Sequence, residues 1–179
     1  MRIIGGKMRG TKLQTLEGFD TTRPTLDRVK ESLFNIISMK LIDSQVLDLF
    51  SGSGALGIES ISRGASKAYL CDISPKAINV IKQNVEKTRC KDSVIILNKK
   101  HIQALEFLKQ SNKKFDIVFL DPPYMTDFGI KAINILMKHS IELEFANDLK
   151  LVISEVNMDT IREENKIIKE GIALLPDEA

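Results

Sequence analysis

Two strings in this 179-residue chain hold residue types that could do chemistry together. One is Asp121-Pro122-Pro123-Tyr124. Its two prolines fix φ and remove two N–H donors, which leaves stiff carbonyls, the Asp121 carboxylate and an aromatic ring in one place. Such a surface accepts hydrogen bonds and is flat, so it suits a planar base carrying an exocyclic amino group. The lone pair of that amine is delocalised into its ring and attacks poorly. If Asp121 Oδ and the Pro122 carbonyl accept both N–H bonds, the nitrogen becomes more tetrahedral and its lone pair is available. Asp121 can take the proton once the nitrogen has reacted. Tyr124 would stack on a base that is flipped out or unpaired. A stiff turn or a proline-rich ligand is the bland alternative, and it loses weight beside the second string.

That string is Asp48-Leu49-Phe50-Ser51-Gly52-Ser53-Gly54-Ala55-Leu56-Gly57. Glycines at these spacings let a chain leave a strand, turn tightly and approach a ligand. Asp72 stands twenty residues beyond Gly52, where a carboxylate can accept bonds from ribose hydroxyls. The pair predicts an adenosine-containing ligand. Ile58 and Glu59 follow Gly57 where a phosphate-binding loop needs Lys and Ser or Thr, so a Walker loop is excluded. Asp48 would repel a pyrophosphate but could pair with the cationic amino-acid end of S-adenosylmethionine, and this favours the methyl donor over NAD. Ser51 and Ser53 serve the turn, since no histidine base is placed for them. His101 reads as a proton carrier only with a partner, and otherwise as a helix-start residue.

These strings need elements to hold them. Short apolar runs alternate with longer amphipathic stretches, which is the rhythm of an α/β domain. Strands are expected at Gln45 to Leu49, Lys67 to Cys71, Val94 to Leu97, Phe115 to Leu120 and Leu149 to Val156. The nearly unbroken apolar run before Asp121 marks a parallel strand covered on both faces. Ser74-Pro75 reads as cap and first turn of a helix reaching about Thr88, and Gly64 ends one that starts near Ala55. A helix also precedes the first strand, through Leu26, Val29, Leu33, Phe34 and Ile37, with Thr25 or Asp27 as its cap. Near the end, Lys166 to Lys169 and Ile172 to Leu175 flank Gly171 like a cramped antiparallel hairpin.

Composition excludes disorder, collagen and coiled coil: 43% of residues are hydrophobic and 28% charged. Cys71 and Cys90 form neither a disulfide framework nor a metal pattern, so no metal site is expected. With no signal-peptide pattern at the start and no apolar run near the roughly 20 residues of a membrane span, a cytosolic protein off the membrane is expected. Net charge is only +2, but its distribution is uneven. Arg2, Lys7, Arg9 and Lys12 make the beginning basic, and acids crowd the stretch from Glu142 onward. A basic arm is an electrostatic footprint for phosphate; solvated surface cations are the plain alternative.

Taken together, the two strings resemble the class I S-adenosylmethionine-dependent amino-methyltransferases. The beginning narrows the likeness. Arg2-Ile3-Ile4-Gly5-Gly6, Arg9-Gly10, Arg23-Pro24-Thr25 and Arg28-Val29-Lys30-Glu31-Ser32-Leu33-Phe34-Asn35 are similar to the bacterial 16S rRNA guanine-N2 methyltransferases that modify guanine 966. The resemblance runs from Arg2 to about Val156. It implies a Rossmann-like, doubly wound, mostly parallel seven-stranded sheet in residues 23–179, and a basic β-hairpin extension in residues 1–22 that helps hold RNA. It also implies that Arg23 and Thr25 lie near the methionine end of the cofactor, Asp48, Gly52 and Gly54 along it, and Asp72 at its ribose. Phe50, Ile73 and Asp121 complete those contacts, and Asp121, Pro122, Pro123 and Tyr124 carry the transfer. The implied partner is 16S rRNA, within a 30S subunit or assembly intermediate, met by a monomer.

Two departures stand out. Relatives place Asp or Asn after the third strand to bond the adenine, and this chain has Lys99-Lys100-His101 after Asn98, with Asn98 or a backbone group as the substitute. The Tyr-Gly end hairpin is reduced to Glu170-Gly171 and a short tail. Three other functions use some of the same features. A DNA adenine-N6 methyltransferase shares the Asp-Pro-Pro-Tyr chemistry but needs a target-recognition domain that this length hardly accommodates. A non-catalytic RNA-binding module and an NAD-binding protein complete the set.

Overall fold

A computed structural model describes residues 1–16, 24–122, 128–142, 150–153 and 172–174. Six strands form one parallel sheet: β1 Gln45–Asp48, β2 Lys67–Asp72, β3 Val94–Asn98, β4 Ile117–Leu120, β5 Lys150–Ile153 and β6 Ile172–Leu174. Their order is β3-β2-β1-β4-β5-β6. The helices are α1 Pro24–Ile36, α2 Ser38–Leu41, α3 Ala55–Ser62, α4 Pro75–Lys87, α5 His101–Gln110 and α6 Phe128–Glu142.

Alternation along the strands sends side chains to two separate cores. Val46, Ala68, Leu70, Ile117 and Phe119 pack with α1, α3 and α4 through Phe34, Ile58, Ile61 and Ile81. Leu47, Tyr69, Cys71, Val118 and Leu120 pack on the other face with α5 and α6 through Leu105, Leu108, Ile133 and Leu136. A sheet buried on both faces explains why its strands read as near-continuous apolar runs.

The strand order reverses between β1 and β4. The chain winds outward to β3 on one side, returns to the middle, and continues through β4 to β6 on the other. In open α/β sheets the crevice at such a switch point is where ligands bind. Because β1 and β4 are parallel neighbours, with Asp48 opposite Phe119, the glycine string and Asp121 leave the same sheet edge side by side.

Several sequence expectations change. The first strand stops at Asp48 rather than Leu49, and the fourth starts at Ile117 rather than Phe115. Phe115 instead packs edge-on against Tyr69, with ring centroids 5.0 Å apart. Neither Thr25 nor Asp27 caps α1: Pro24 occupies its first position and both lie inside, as a proline pre-set to helical φ allows. Ile172–Leu174 is a parallel neighbour of β5, not one limb of an antiparallel hairpin; the other limb, residues 166–169, lies outside the described residues, as do 149 and 154–156 of the fifth strand. Among the described residues the sheet has six of the seven strands expected.

At the beginning, Arg2 and Lys12 form an isolated antiparallel bridge around a 3-10 turn, Gly6–Met8. Ile3 and Leu13 are buried in the first core. Among the described residues no helix is long and apolar enough to cross a membrane.

Candidate active site

The glycine string turns the chain from β1 into α3. Gly52 (φ +52°) and Gly54 (φ +78°) are left-handed, which glycine adopts without strain. A Cβ on Gly52 would meet nothing within 4 Å, so this side of the loop faces open space. On Gly57 a Cβ would strike Leu70 Cδ2, so this glycine lets α3 sit tightly on β2. Asp72 ends β2 and fastens the loop, its Oδ2 accepting from Gly52 N–H at 2.9 Å and its Oδ1 from Ser74 N–H at 2.8 Å. Each oxygen keeps lone-pair capacity for further donors.

Asp48 is 1% exposed, and neither carboxylate oxygen has a hydrogen-bond partner among the described residues. Burial pushes its carboxyl up to about 7, and the nearby charges of Asp121 and Asp72 push the same way. The Gly57 N–H and the Ser51 hydroxyl pull it down, but neither approaches with hydrogen-bond geometry. A buried carboxylate left unsatisfied is a place where a cationic ligand group would lower the energy.

These groups line a cleft of about 770 Å³ together with Asp121 and Pro122. Asp121 is exposed, directly off β4. Apolar rims face the same space: Ile73 is 57% exposed and Phe128, the first residue of α6, is 37% exposed. His101 opens α5, where the plainer sequence reading puts it. Its ring stands between Phe50, at 5.3 Å, and Phe128, at 4.8 Å. The sequence did not single out this aromatic row, because its members are far apart in the chain. Three sequence-separated aromatics could have been joined only by knowing that α5 and α6 lie side by side.

Of the residues expected at the site, Asp48, Phe50, Gly52, Asp72, Ile73, Asp121 and Pro122 line this one cleft. Gly54 caps α3 behind it. Thr25 lies in the first turn of α1; Arg23, Pro123 and Tyr124 lie outside the described residues. Asn98 donates its amide hydrogens to the carbonyls of Asp72 and Ile73, so it supports the loop after β2. Cys71 is no nucleophile at neutral pH, because burial, with the charges of Asp72 and Asp48, pushes its thiol up to about 12.

The basic arm is docked. Glu59 on α3 is fully buried and accepts from Ile4 N–H (2.9 Å), Gly5 N–H (2.7 Å) and Arg63 Nε (2.8 Å), with Lys30 Nζ at 3.2 Å. Lys30 also donates to the Arg2 carbonyl. Burial lowers the Lys30 ammonium below its usual range, against the pull of Glu59. A side chain on Gly6 (φ +73°) would strike the Ser62 carbonyl, which accounts for that glycine. Arg2 pairs with Asp27 at 2.9 Å, whereas Lys7, Arg9 and Lys12 are exposed.

A family profile described as "Conserved hypothetical protein 95" matches residues 1–170. The Ribosomal RNA small subunit methyltransferase D of Haemophilus influenzae is 38% identical over 143 residues, covering 78% of this chain and 72% of its own length. The protein of that name from Buchnera aphidicola subsp. Baizongia pistaciae is 35% identical over 177 residues, 94% of this chain and 88% of its own. The solved structure of a hypothetical protein from Thermus thermophilus is 28% identical, covers 77% of each chain and superposes with a TM-score of 0.67.

Proposed function

This chain belongs to the family described as Conserved hypothetical protein 95, and from that premise we propose that it is an S-adenosylmethionine-dependent methyltransferase of small-subunit ribosomal RNA, acting on the N2 amino group of a guanine. One observation carries the reading: the orphaned Asp48 carboxylate, the open glycine loop and the Asp121-Pro122 step share one cleft at the switch point. The relatives named Ribosomal RNA small subunit methyltransferase D support the substrate.

The cleft fits the cofactor by its own chemistry. Asp48 offers a buried anion to an amino-acid ammonium, Asp72 offers acceptors to ribose hydroxyls, and Ile73 with Phe128 offers apolar faces to an adenine. When bound, S-adenosylmethionine supplies a methyl carbon activated by its sulfonium. Asp121 Oδ and the Pro122 carbonyl accept the two N–H bonds of the target amine and hold its lone pair free of the ring. Asp121 Oδ then takes the proton that the methylated nitrogen sheds. Tyr124 stacks on the base, and Phe50, His101 and Phe128 keep water from one side of the cleft.

The finer points belong to the same reading. Residues 1–22 act as a β-hairpin extension whose exposed Lys7, Arg9 and Lys12 meet phosphates, and Arg23 and Thr25 close the methionine end. Residues 23–179 complete a seven-stranded sheet. The protein works as a monomer in the cytoplasm, on a 30S subunit or its assembly intermediate.

Asp121→Ala tests the chemistry. We expect methyl transfer to fall by roughly 10³-fold or more while S-adenosylhomocysteine affinity falls far less, and retained transfer would refute the role. Mass spectrometry of 16S rRNA from cells lacking the protein should show a lost N2-methylguanosine; intact rRNA with altered DNA N6-methyladenine would move the substrate to DNA.

A further inference from the structure

The arm and the glycine loop meet at one buried side chain behind the cleft. Asn84, on α4, is 0% exposed. Its Oδ1 accepts from Gln14 N–H at 2.7 Å, and its Nδ2 donates at 2.9 Å both to the Gln14 carbonyl and to the Ser53 carbonyl. Ser53 lies between the two left-handed glycines of the loop, and Gln14 leads into Thr15 and Leu16, which line the cleft. A second tie runs along α3, whose N-terminal end is the glycine loop and whose Glu59 and Ser62 hold Ile4, Gly5 and Met8 of the arm.

We infer that Asn84 is a positioning residue that makes nucleic-acid binding by the arm and cofactor binding by the glycine loop one coupled event. The inference rests on the function proposed above. A buried amide satisfied from both sides has no comfortable half-released state. Should the arm lift away, Oδ1 and one Nδ2 hydrogen would lose their partners in an apolar interior, an outcome native structures avoid. Should the loop move, the Ser53 carbonyl would leave the same amide. A ligand that holds either segment therefore holds the other, and such coupling is reciprocal. Asn84 lies behind the cleft and not in its lining, so its effect passes through Gln14 and Ser53.

The test uses the full chain, S-adenosylhomocysteine, and 30S subunits from cells lacking the protein. Each ligand is titrated alone and again with the other saturating. We expect each to tighten the other by the same factor, roughly fivefold or more, and Asn84→Ala to reduce that factor clearly, with the α3 tie carrying what is left. Amide exchange on the unaltered chain reads the link without depending on how the variant folds: S-adenosylhomocysteine should slow exchange at Gln14 severalfold. A factor near one in the unaltered chain, a factor kept by Asn84→Ala, or unchanged exchange at Gln14 overturns the inference while leaving the methyltransferase reading intact. Failure of S-adenosylhomocysteine to bind at all overturns both.

Discussion

Asp48 carries a charge that the protein interior resists. Its carboxyl, ordinarily near 3.8, sits at about 7 in the fold, chiefly through burial. Between those two values the folded chain holds a proton that the unfolded chain has released. The stabilising contribution of this group is therefore full below the unfolded value and is lost as pH rises through the folded one. Asp48→Asn removes that slope. In thermal melts from pH 5 to pH 8, the unaltered chain should lose ground against Asp48→Asn as pH rises towards 7 and level off above it; parallel curves would remove the buried charge from the account. The same titration gives the cofactor a pH dependence. A cationic ligand group favours ionised Asp48, so binding near neutrality should release a proton and weaken as the solution is acidified below about pH 7. Calorimetry in buffers of different ionisation enthalpy reads that proton directly.

Helix α3 shows how one element can hold two sites. Its N-terminal turn is pressed onto β2 through the missing side chain of Gly57, and its later turns grip the arm through Glu59 and Ser62. Gly57→Ala would overpack a fully buried Leu70, at a cost of about 1–3 kcal/mol. For a chain of this size that lowers Tm by roughly 2–4 °C per kcal/mol; an unchanged melt would mean that Leu70 can swing aside. Much of the element layout was legible beforehand. Ser74-Pro75 announced α4, and the structure shows the Ser74 hydroxyl accepting from Ala77 N–H. Parallel strands buried on both faces cannot help reading as apolar runs. What stayed hidden depended on partners distant in the chain. Nothing local in Gly5-Gly6 says that the Arg63 side chain and the Ser62 carbonyl need that space, and Glu59 in an apolar stretch gives no hint that two backbone amides of the arm will meet it. At the start of α1, Thr25 and Asp27 are good capping types, yet Pro24 sets the helix going ahead of both.

At the scale of the whole molecule, the arm cations Lys7, Arg9 and Lys12 are exposed, while Arg2 is paired with Asp27. Replacing Lys7, Arg9 and Lys12 together by alanine should weaken RNA binding across sequences. It should also reduce the slope of log affinity against log salt by about 2, from about 0.7 for each phosphate contact to a single strand. An unchanged slope would place the phosphates elsewhere, with Lys100 and Lys131 at the cleft rim the next to test. The meeting of both strings at one sheet edge was readable, since it followed from the alternation of strands and helices. The aromatic row and the Asn84 link were not readable, since both depend on which helices end up adjacent. The reversal of strand order between β1 and β4 also has a bearing on biosynthesis. Val46 pairs with Ile117, so a chain emerging from the ribosome carries its glycine loop long before the other wall of the crevice exists. Fragments ending before β4 should be unable to retain the cofactor, and competence should arise late and abruptly, when that one long-range pairing closes.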